Sequence, residues 1–266
     1  MFTTNPFSIL AETVPPIALQ SFVIVMVALV IIGTLVDIIH KKNVKYFFAN
    51  AKKAKLSATR ELGTSERAGV IIKTVVNDIA TTSELGAGKR RVAHILGMYG
   101  TILFWIASTV MIFCYTSNSS DTPNVWPIMW HVGAIMTCIG GYWFWFFLRV
   151  DVLAEAHPWY RIIKADLFVL ALLACATFGL AWSYTQSLDL NNRWDDKLFL
   201  ILFIISNLVL FGGVYWSKFA HMFYKPGAAI QKNLAEADGS RDNLPPPADA
   251  PEQFGLGIKR EEPKHY

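Results

Sequence analysis

Long apolar blocks alternate with polar segments along this chain. Five blocks of about twenty residues fall at about 14–39, 92–115, 126–148, 165–184 and 198–223. At a rise of about 1.5 Å per residue, each block matches the roughly 30 Å hydrocarbon layer of a bilayer. The blocks are apolar all round and not along one face only, which favours transmembrane helices over surface helices of a soluble fold. The pattern predicts an all-α integral membrane protein with five transmembrane helices.

The polar segments divide the chain into four parts. We expect the N-terminus and first transmembrane helix in 1–39, a loop in 40–91, a four-helix membrane module in 92–226 and a tail in 227–266. The first block predicts a retained helix, because no basic segment precedes it and no small-residue cleavage motif follows it. The tail holds three consecutive prolines at 245–247 and mixed charges, which predict disorder.

Two segments of the 40–91 loop carry patterns of their own. Residues 43–55 are rich in lysine, with Tyr46, Phe47 and Phe48 among the charges, which is typical of an interfacial helix on anionic lipid. Residues 65–80 place apolar side chains at a helical spacing, so that this segment faces either lipid or a partner.

Composition and charge placement orient the predicted helices. Only 17% of the residues are charged and 53% are hydrophobic, whereas soluble domains usually carry about a quarter charged residues. Of the 24 lysines and arginines, twelve lie in 41–91, three in 149–164 and seven from Lys218 onward. The predicted helices therefore place 22 of the 24 on the same side of the membrane. Positively charged loops stay in the cytoplasm, so the N-terminus is expected outside and the C-terminus in the cytoplasm.

The cysteines exclude several metal centres. Cys114, Cys138 and Cys175 fall singly inside apolar blocks, and no CxxC or Cys/His cluster occurs. A zinc or iron–sulfur site is therefore not expected, and the three residues are interpreted as small apolar helix residues.

Two histidines carry the strongest candidate chemistry. His94 lies near the cytoplasmic end of the second predicted helix and His221 near that end of the fifth, at similar depths. Two facing histidines at one depth are able to supply both axial ligands of a haem b, with His40 as a rival ligand. Glycines near the two histidines would either leave room for the flat macrocycle or serve ordinary helix packing. Nearby basic residues would pair with the haem propionates. The glycines are Gly97, Gly100, Gly212 and Gly213, and the basic residues are Lys218, Arg90 and Arg91.

Three stretches of the chain resemble membrane subunits of respiratory complexes. Five helices with histidines on the second and fifth resemble the cytochrome b (gamma) subunit of respiratory nitrate reductase. The stretch SKFAHMFYKP at 217–226 is similar to that family and to the membrane module of QmoC. Together with RVAHILGMYG at 91–100 and RVDVLAEAHPWYRIIKADLF at 149–168, it most resembles the membrane anchors of dissimilatory adenylylsulfate (APS) reductase, AprM. The resemblance implies haem b, quinone, a cytoplasmic iron–sulfur flavoprotein as partner, and the bacterial cytoplasmic (inner) membrane.

The chain departs from the nitrate reductase subunit at its outer haem. The positions of the two outer ligands in that family are Phe104 and Phe203 here, and phenylalanine cannot bind iron. His131 is at outer depth, but no second histidine reaches that depth. The sequence therefore predicts one inner haem at most. The iron–sulfur cysteines of QmoC are absent as well.

A polar cluster between the third and fourth predicted helices is a weaker candidate for a quinone site. A quinone needs a donor to each carbonyl, and a histidine or lysine with a carboxylate is able to deliver protons. An ordinary charged connection is the competing interpretation. His131 is interpreted as an interfacial residue, with a quinone or structural role as the alternative, and His265 is set aside. The candidate quinone residues are Arg149, Asp151, His157 and Lys164.

Three functions are compatible with these patterns. The first is an anchoring and electron-transfer subunit that links a cytoplasmic oxidoreductase, APS reductase by resemblance, to the quinone pool. The second is a haem-free scaffold that only docks the soluble enzyme. The third, a small transporter, is disfavoured because no acidic residue lies deep in a predicted helix and no pair of broken helices occurs. No catalytic residue is assigned, and no nucleic-acid partner is expected.

Overall fold

The structure is a computed structural model that describes residues 1–85, 88–116, 121–150, 158–188 and 194–240, together with 253–254 and 258–259. Its residues form two compact units. The first unit consists of Met1–Ile39 and Val92–Ala220, and the second of His40–Arg91 and His221–Tyr266. The boundaries between the two units fall at 39/40, 91/92 and 220/221.

Helices form nearly all of the regular structure. In chain order they are α1 (Pro6–Leu10), α2 (Pro16–Lys41), α3 (Asn43–Leu56), α4 (Thr64–Thr74), α5 (Lys89–Cys114), α6 (Val125–Trp143), α7 (Leu167–Ser187), α8 (Trp194–Gly212) and α9 (His221–Ala237). π-Helical segments extend α4 over Val75–Ala80 and α6 over Phe144–Leu148. Short 3₁₀ turns form at Ser83–Leu85, Lys164–Asp166 and Lys218–Ala220. Strands β1 (Gln253–Phe254) and β2 (Ile258–Lys259) pair antiparallel.

Four helices are long and apolar enough to cross a membrane. They span Pro16–Lys41, Lys89–Cys114, Val125–Leu148 and Lys164–Ser187. Each lies within three residues of the start and end of a predicted span. The helical architecture and these four elements agree with the prediction of a multi-pass all-α membrane protein.

The fifth predicted helix is shorter than expected. Its apolar block runs on to Phe223, but α8 ends at Gly212 and the chain turns before the 3₁₀ segment. Gly212 and Gly213 are poor helix formers, and the Gly213 carbonyl accepts from the amides of Trp216 and Ser217 in place of a continued helical ladder. The expectation that His221 lies on the fifth helix is therefore wrong, because His221 is the first residue of α9.

Apolar side chains of α2 point outward from the protein. Within this helix Met26 and Asp37 alone are buried, while large aliphatic residues are about half exposed or more. In water such a surface would be costly, but hydrocarbon chains solvate it as well as a protein core does. The exposed residues include Ile17, Ile24, Val25, Val27, Ile31, Ile32 and Leu35.

Helices α5 and α6 touch backbone to backbone. A Cβ added at Gly100 would lie 2.6 Å from the Thr137 amide nitrogen and 2.7 Å from the Gly133 carbonyl oxygen. One added at Gly140 would lie 2.5 Å from the Ala93 carbonyl oxygen. Small residues at such contacts let two helices approach closely. In a bilayer the hydrophobic effect does not drive helices together, so dispersion and weak polar contacts at this close distance stabilise the pair.

The N-terminal residues pack against the helices of the first unit. Asn5 is fully buried and caps α1 through its Oδ1, which accepts from the amides of Phe7 and Ser8. Its Nδ2 donates to the carbonyl of Tyr115 at 2.9 Å. The Phe7 ring lies 6.0 Å from that of Trp130 and 5.6 Å from that of Trp182, so α1 closes one end of the aromatic core.

The second unit forms around α9, which packs on α3, on α4 and on its π-helical extension. Asn233 donates to Thr74 Oγ1 at 2.8 Å and to Asp78 Oδ2 at 2.6 Å. Gly239 follows α9 with φ 73°, a conformation that favours glycine, and the Arg60 Nε donates to the Ala237 carbonyl at 2.8 Å. Residues 227–237, which were predicted to belong to a disordered tail, are therefore helical.

The Asn233 contacts allow a test of the second unit. Asn233→Ala is expected to destabilise α9 by about 1–2 kcal/mol, because Asp78 and Thr74 lose a shared donor. Hydrogen bonds from Ser83 and Asn233 lower the pKa of Asp78 below its ordinary value, with Lys232 and Lys73 adding to the effect. This stabilisation is present above the unfolded pKa of about 3.9 and is lost as the pH falls through the lowered pKa. Hydrogen exchange of the α9 amides measures both effects, and equal protection in Asn233→Ala and wild type at pH 7 would contradict the assignment.

Candidate functional site

The two predicted haem ligands lie in different units. His94 is in the second turn of α5 and exposed, in the first unit, while His221 begins α9 in the second unit and is half-buried. His40, the rival ligand, is exposed near the end of α2. The pairing of any two of these histidines on one iron stays a prediction.

Two of the three basic residues predicted for the propionates, Lys218 and Arg91, differ in their surroundings. Lys218 is exposed and begins the 3₁₀ turn that follows α8. Arg91 is half-buried in the first turn of α5, and its Nε donates to the Thr81 carbonyl at 2.7 Å. The Arg91 side chain therefore already ties the start of α5 to the segment before it.

The glycines near the two histidines differ in whether a side chain would fit at their positions. Gly97 lies one helical turn from His94, and a Cβ added there would meet nothing within 4 Å, so this position leaves space. Gly100 is filled by the backbone of α6. Gly212 is open, whereas a Cβ at Gly213 would lie 2.6 Å from the Val209 carbonyl oxygen. Gly97 and Gly212 therefore leave room for a side chain, whereas Gly100 serves helix packing.

Phe104 and Phe203, which the sequence resemblance compares with outer haem ligands, lie in a cluster of aromatic rings. Phe104 and Phe203 are both buried, and their ring centroids lie 6.3 Å apart in an edge-on contact. Trp130 lies 5.0 Å from Phe104, and Trp182 stacks 5.8 Å from Phe203. Ring packing therefore holds α5 and α8 together at residues 104 and 203.

Arg149 holds the connection between α6 and α7. Its side chain is fully buried and forms an ion pair with Asp166 at 2.5 Å. Its NH1 donates to the Pro158 carbonyl at 2.9 Å and its NH2 to the Arg161 carbonyl at 2.7 Å. The guanidinium also lies 4.3 Å from the ring centroid of Trp145, one turn earlier, which adds a cation–π contact. Arg149 therefore acts as a positioning residue for residues 158–166.

Of the four residues predicted for a quinone site, the structure describes Arg149 and Lys164. Lys164 is exposed at the start of its 3₁₀ turn, so its ammonium group faces the surroundings of the protein. Asp151 and His157 lie outside the described residues. The Arg149 guanidinium donates to the carbonyls of Pro158 and Arg161. A quinone site at these four residues stays a prediction.

His131 is a core residue and not an interfacial one. It is fully buried in α6 and joins that helix to α7. The Pro127 carbonyl can only accept, so Nδ1 donates to it at 2.7 Å, and Nε2 accepts from the Ser183 hydroxyl at 2.8 Å. The ring of Phe2 lies 5.1 Å from the imidazole. The structure thus favours the structural role that the sequence left as an alternative.

Sequence reasoning missed the partners of these buried polar groups. Asp166 and Ser183 lie 17 and 52 residues from Arg149 and His131. The available signal for the first pair was the presence of opposite charges at the ends of consecutive apolar blocks. Nothing in the sequence indicated that Asn5 and Phe7 pack into the bundle.

Among the described residues, no group of three or more histidine, cysteine, aspartate or glutamate side chains is placed to hold a metal ion. Comparisons with known protein families, with curated proteins and with solved structures find no match to this chain. The architecture itself defines the class, which is a mainly helical protein whose described residues include four helices long and apolar enough to span a membrane.

Proposed function

We propose that this protein is a membrane anchor and electron-transfer subunit that links a cytoplasmic oxidoreductase to the quinone pool. The observation that carries the proposal is the second unit, in which residues 40–91 and the segment from His221 onward form a compact unit of their own. A chain that only crossed a membrane would not need such a unit, whereas an anchor needs a surface for its partner. By resemblance, the partner is the iron–sulfur flavoprotein APS reductase.

The proposed topology has five spans in the bacterial cytoplasmic membrane, with the N-terminus outside. The fifth is α8, whose 19 residues extend about 28 Å at 1.5 Å per residue. Asp195, Asp196 and Lys197 lie in its first turn, and the rest of the helix is uncharged. The second unit holds most of the lysines and arginines, which supports its placement in the cytoplasm.

The proposed cofactor is one haem b, for which His94 and His221 would supply the axial imidazoles. Lys218 and Arg91 would pair with its propionates, and the open position at Gly97 supports space beside His94. A bound haem b would supply one-electron transfer between the soluble partner and quinone. The protein residues would orient it and keep both ligating nitrogens unprotonated. Quinone would be reduced, or quinol oxidised, near the 149–166 connection. Lys164 and His157 would donate protons in the first direction and accept them in the second.

A reduced-minus-oxidised visible spectrum of the purified protein tests the cofactor. We expect a haem b band in the wild type and its loss in His94→Ala and in His221→Ala, because each removes one axial ligand. His131→Ala is the matched control, since His131 is committed to Pro127 and Ser183. Retention of the band in both ligand variants would move the assignment to His40. Absence of any band in a fully loaded preparation would leave the haem-free scaffold.

Affinity capture of the tagged full-length protein tests docking. The wild type should recover an enzyme that contains both flavin and iron–sulfur clusters. Ile72 on α4 is 64% exposed, so Ile72→Asp should weaken capture at least tenfold without exposing new core. Ser65→Asp at the start of the same helix is the control and should capture normally. If the wild type recovers no flavin and iron–sulfur enzyme, docking of this partner class is excluded.

A further inference from the structure

We propose that the exposed face of α3 lies on the membrane surface and binds anionic lipid headgroups. This inference goes beyond the anchoring function and depends on neither the haem nor the soluble partner. It rests on the face that α3 presents, on its charge, and on its covalent link to α2.

The first observation is the division of α3 into two faces. Phe47 points inward and lies 4.0 Å from the position of a Cβ on Gly227 in α9. Phe48, the next residue, is 65% exposed, and Leu56, which lies about 80° from it around the helix axis, is 81% exposed. The helix therefore keeps large apolar groups on its outer face although other apolar residues of the same helix pack inward. Aromatic and aliphatic groups held in this way are suited to the boundary between headgroups and acyl chains.

The second observation is the charge of the same face. Lys45, Lys52, Lys53 and Lys55 are all exposed, and α3 contains no acidic residue. Lysines can extend their ammonium groups to phosphates while their alkyl stems cover apolar surface. Basic and apolar groups on one face complement an anionic membrane surface, which offers both phosphate and hydrocarbon.

The third observation is the position of α3 in the chain. The 26 residues of α2 extend about 39 Å, close to the roughly 40–45 Å of a bilayer with its headgroup layers. Only Lys42 separates α2 from α3, and its left-handed conformation at φ 54° and ψ 18° breaks the helix at that point. The chain therefore begins α3 within one residue of leaving the headgroup layer, which favours lipid over a soluble acidic protein as the occupant.

The experiment uses the full-length protein in nanodiscs with an environment-sensitive fluorophore on one introduced cysteine, in a Cys114→Ser and Cys138→Ser background that keeps only the buried Cys175. Phe48→Cys and Leu56→Cys report on the outer face of α3, and Ser65→Cys on exposed α4 is the control position. In discs with phosphatidylglycerol we expect iodide quenching at positions 48 and 56 to fall at least threefold relative to phosphatidylcholine discs. Quenching at position 65 should not change. Half-molar salt should reduce the difference, because it screens exposed charges.

A charge variant completes the test. Lys45→Gln combined with Lys52→Gln and Lys55→Gln should abolish the dependence on phosphatidylglycerol, while Arg67→Gln with Lys73→Gln should preserve it. Circular dichroism and the Ser65 probe confirm that the variants remain folded. Full iodide access to positions 48 and 56 in both lipids would overturn the proposal and leave the face to a soluble partner. Equal protection of positions 48 and 56 from iodide in both lipids would overturn the proposal as well.

Discussion

Arg149→Ala is expected to destabilise the first unit by about 3–5 kcal/mol, which is the largest single effect that we predict. The substitution leaves the Asp166 carboxylate, which is largely buried, without its ion-pair partner. It also removes the donors to the carbonyls of Pro158 and Arg161. Unfolding in mixed micelles with increasing dodecyl sulfate, followed by tryptophan fluorescence, measures the change.

The Arg149 network offers two matched comparisons. Arg149→Lys keeps the charge but replaces a planar fork with a point charge, so we expect a smaller loss than for alanine. Arg161→Ala should change stability by no more than about 0.5 kcal/mol, because its side chain is exposed and its backbone carbonyl is unaffected. A loss in Arg149→Ala as small as that in Arg161→Ala would show that the buried network contributes little.

Gly100→Ala is expected to destabilise the same unit by about 1–3 kcal/mol. The new methyl group would meet backbone atoms of Thr137 and Gly133 at 2.6 and 2.7 Å, so α5 and α6 must separate. Gly97→Ala, one turn away on the same helix, meets nothing within 4 Å and should be neutral or stabilise by up to about 1 kcal/mol. The same micelle titration compares the two variants, and equal effects would contradict the close contact.

The apolar block at 198–223 shows a limit of reasoning from hydropathy. The prediction that His221 lies on the fifth helix assumed that an apolar block is one helix. Hydropathy cannot distinguish a continuous helix from a helix, a turn and a second helix when all three are apolar. The glycine pair at 212–213 was the local signal that the helix ends.

His131 shows the opposite limit. Its position beside Trp130 predicted an interfacial residue, yet the structure buries it against Pro127 and Ser183. The burial of a polar side chain depends on a partner from another helix, and Ser183 is 52 residues away. The packing of Phe7 and Asn5 into the bundle was hidden for the same reason.

The sequence by itself determined the helical class and the position of four apolar helices, because the length of a helix that crosses hydrocarbon is set by the bilayer and can be counted along the chain. It also determined where the positive charge lies. Only the tertiary structure decided which glycines serve packing and which leave space, that Arg149 holds the connection before α7, and that residues 40–91 and 221–240 form one unit. These features depend on contacts between residues far apart in the chain, and a one-dimensional pattern of hydropathy and charge does not specify such contacts.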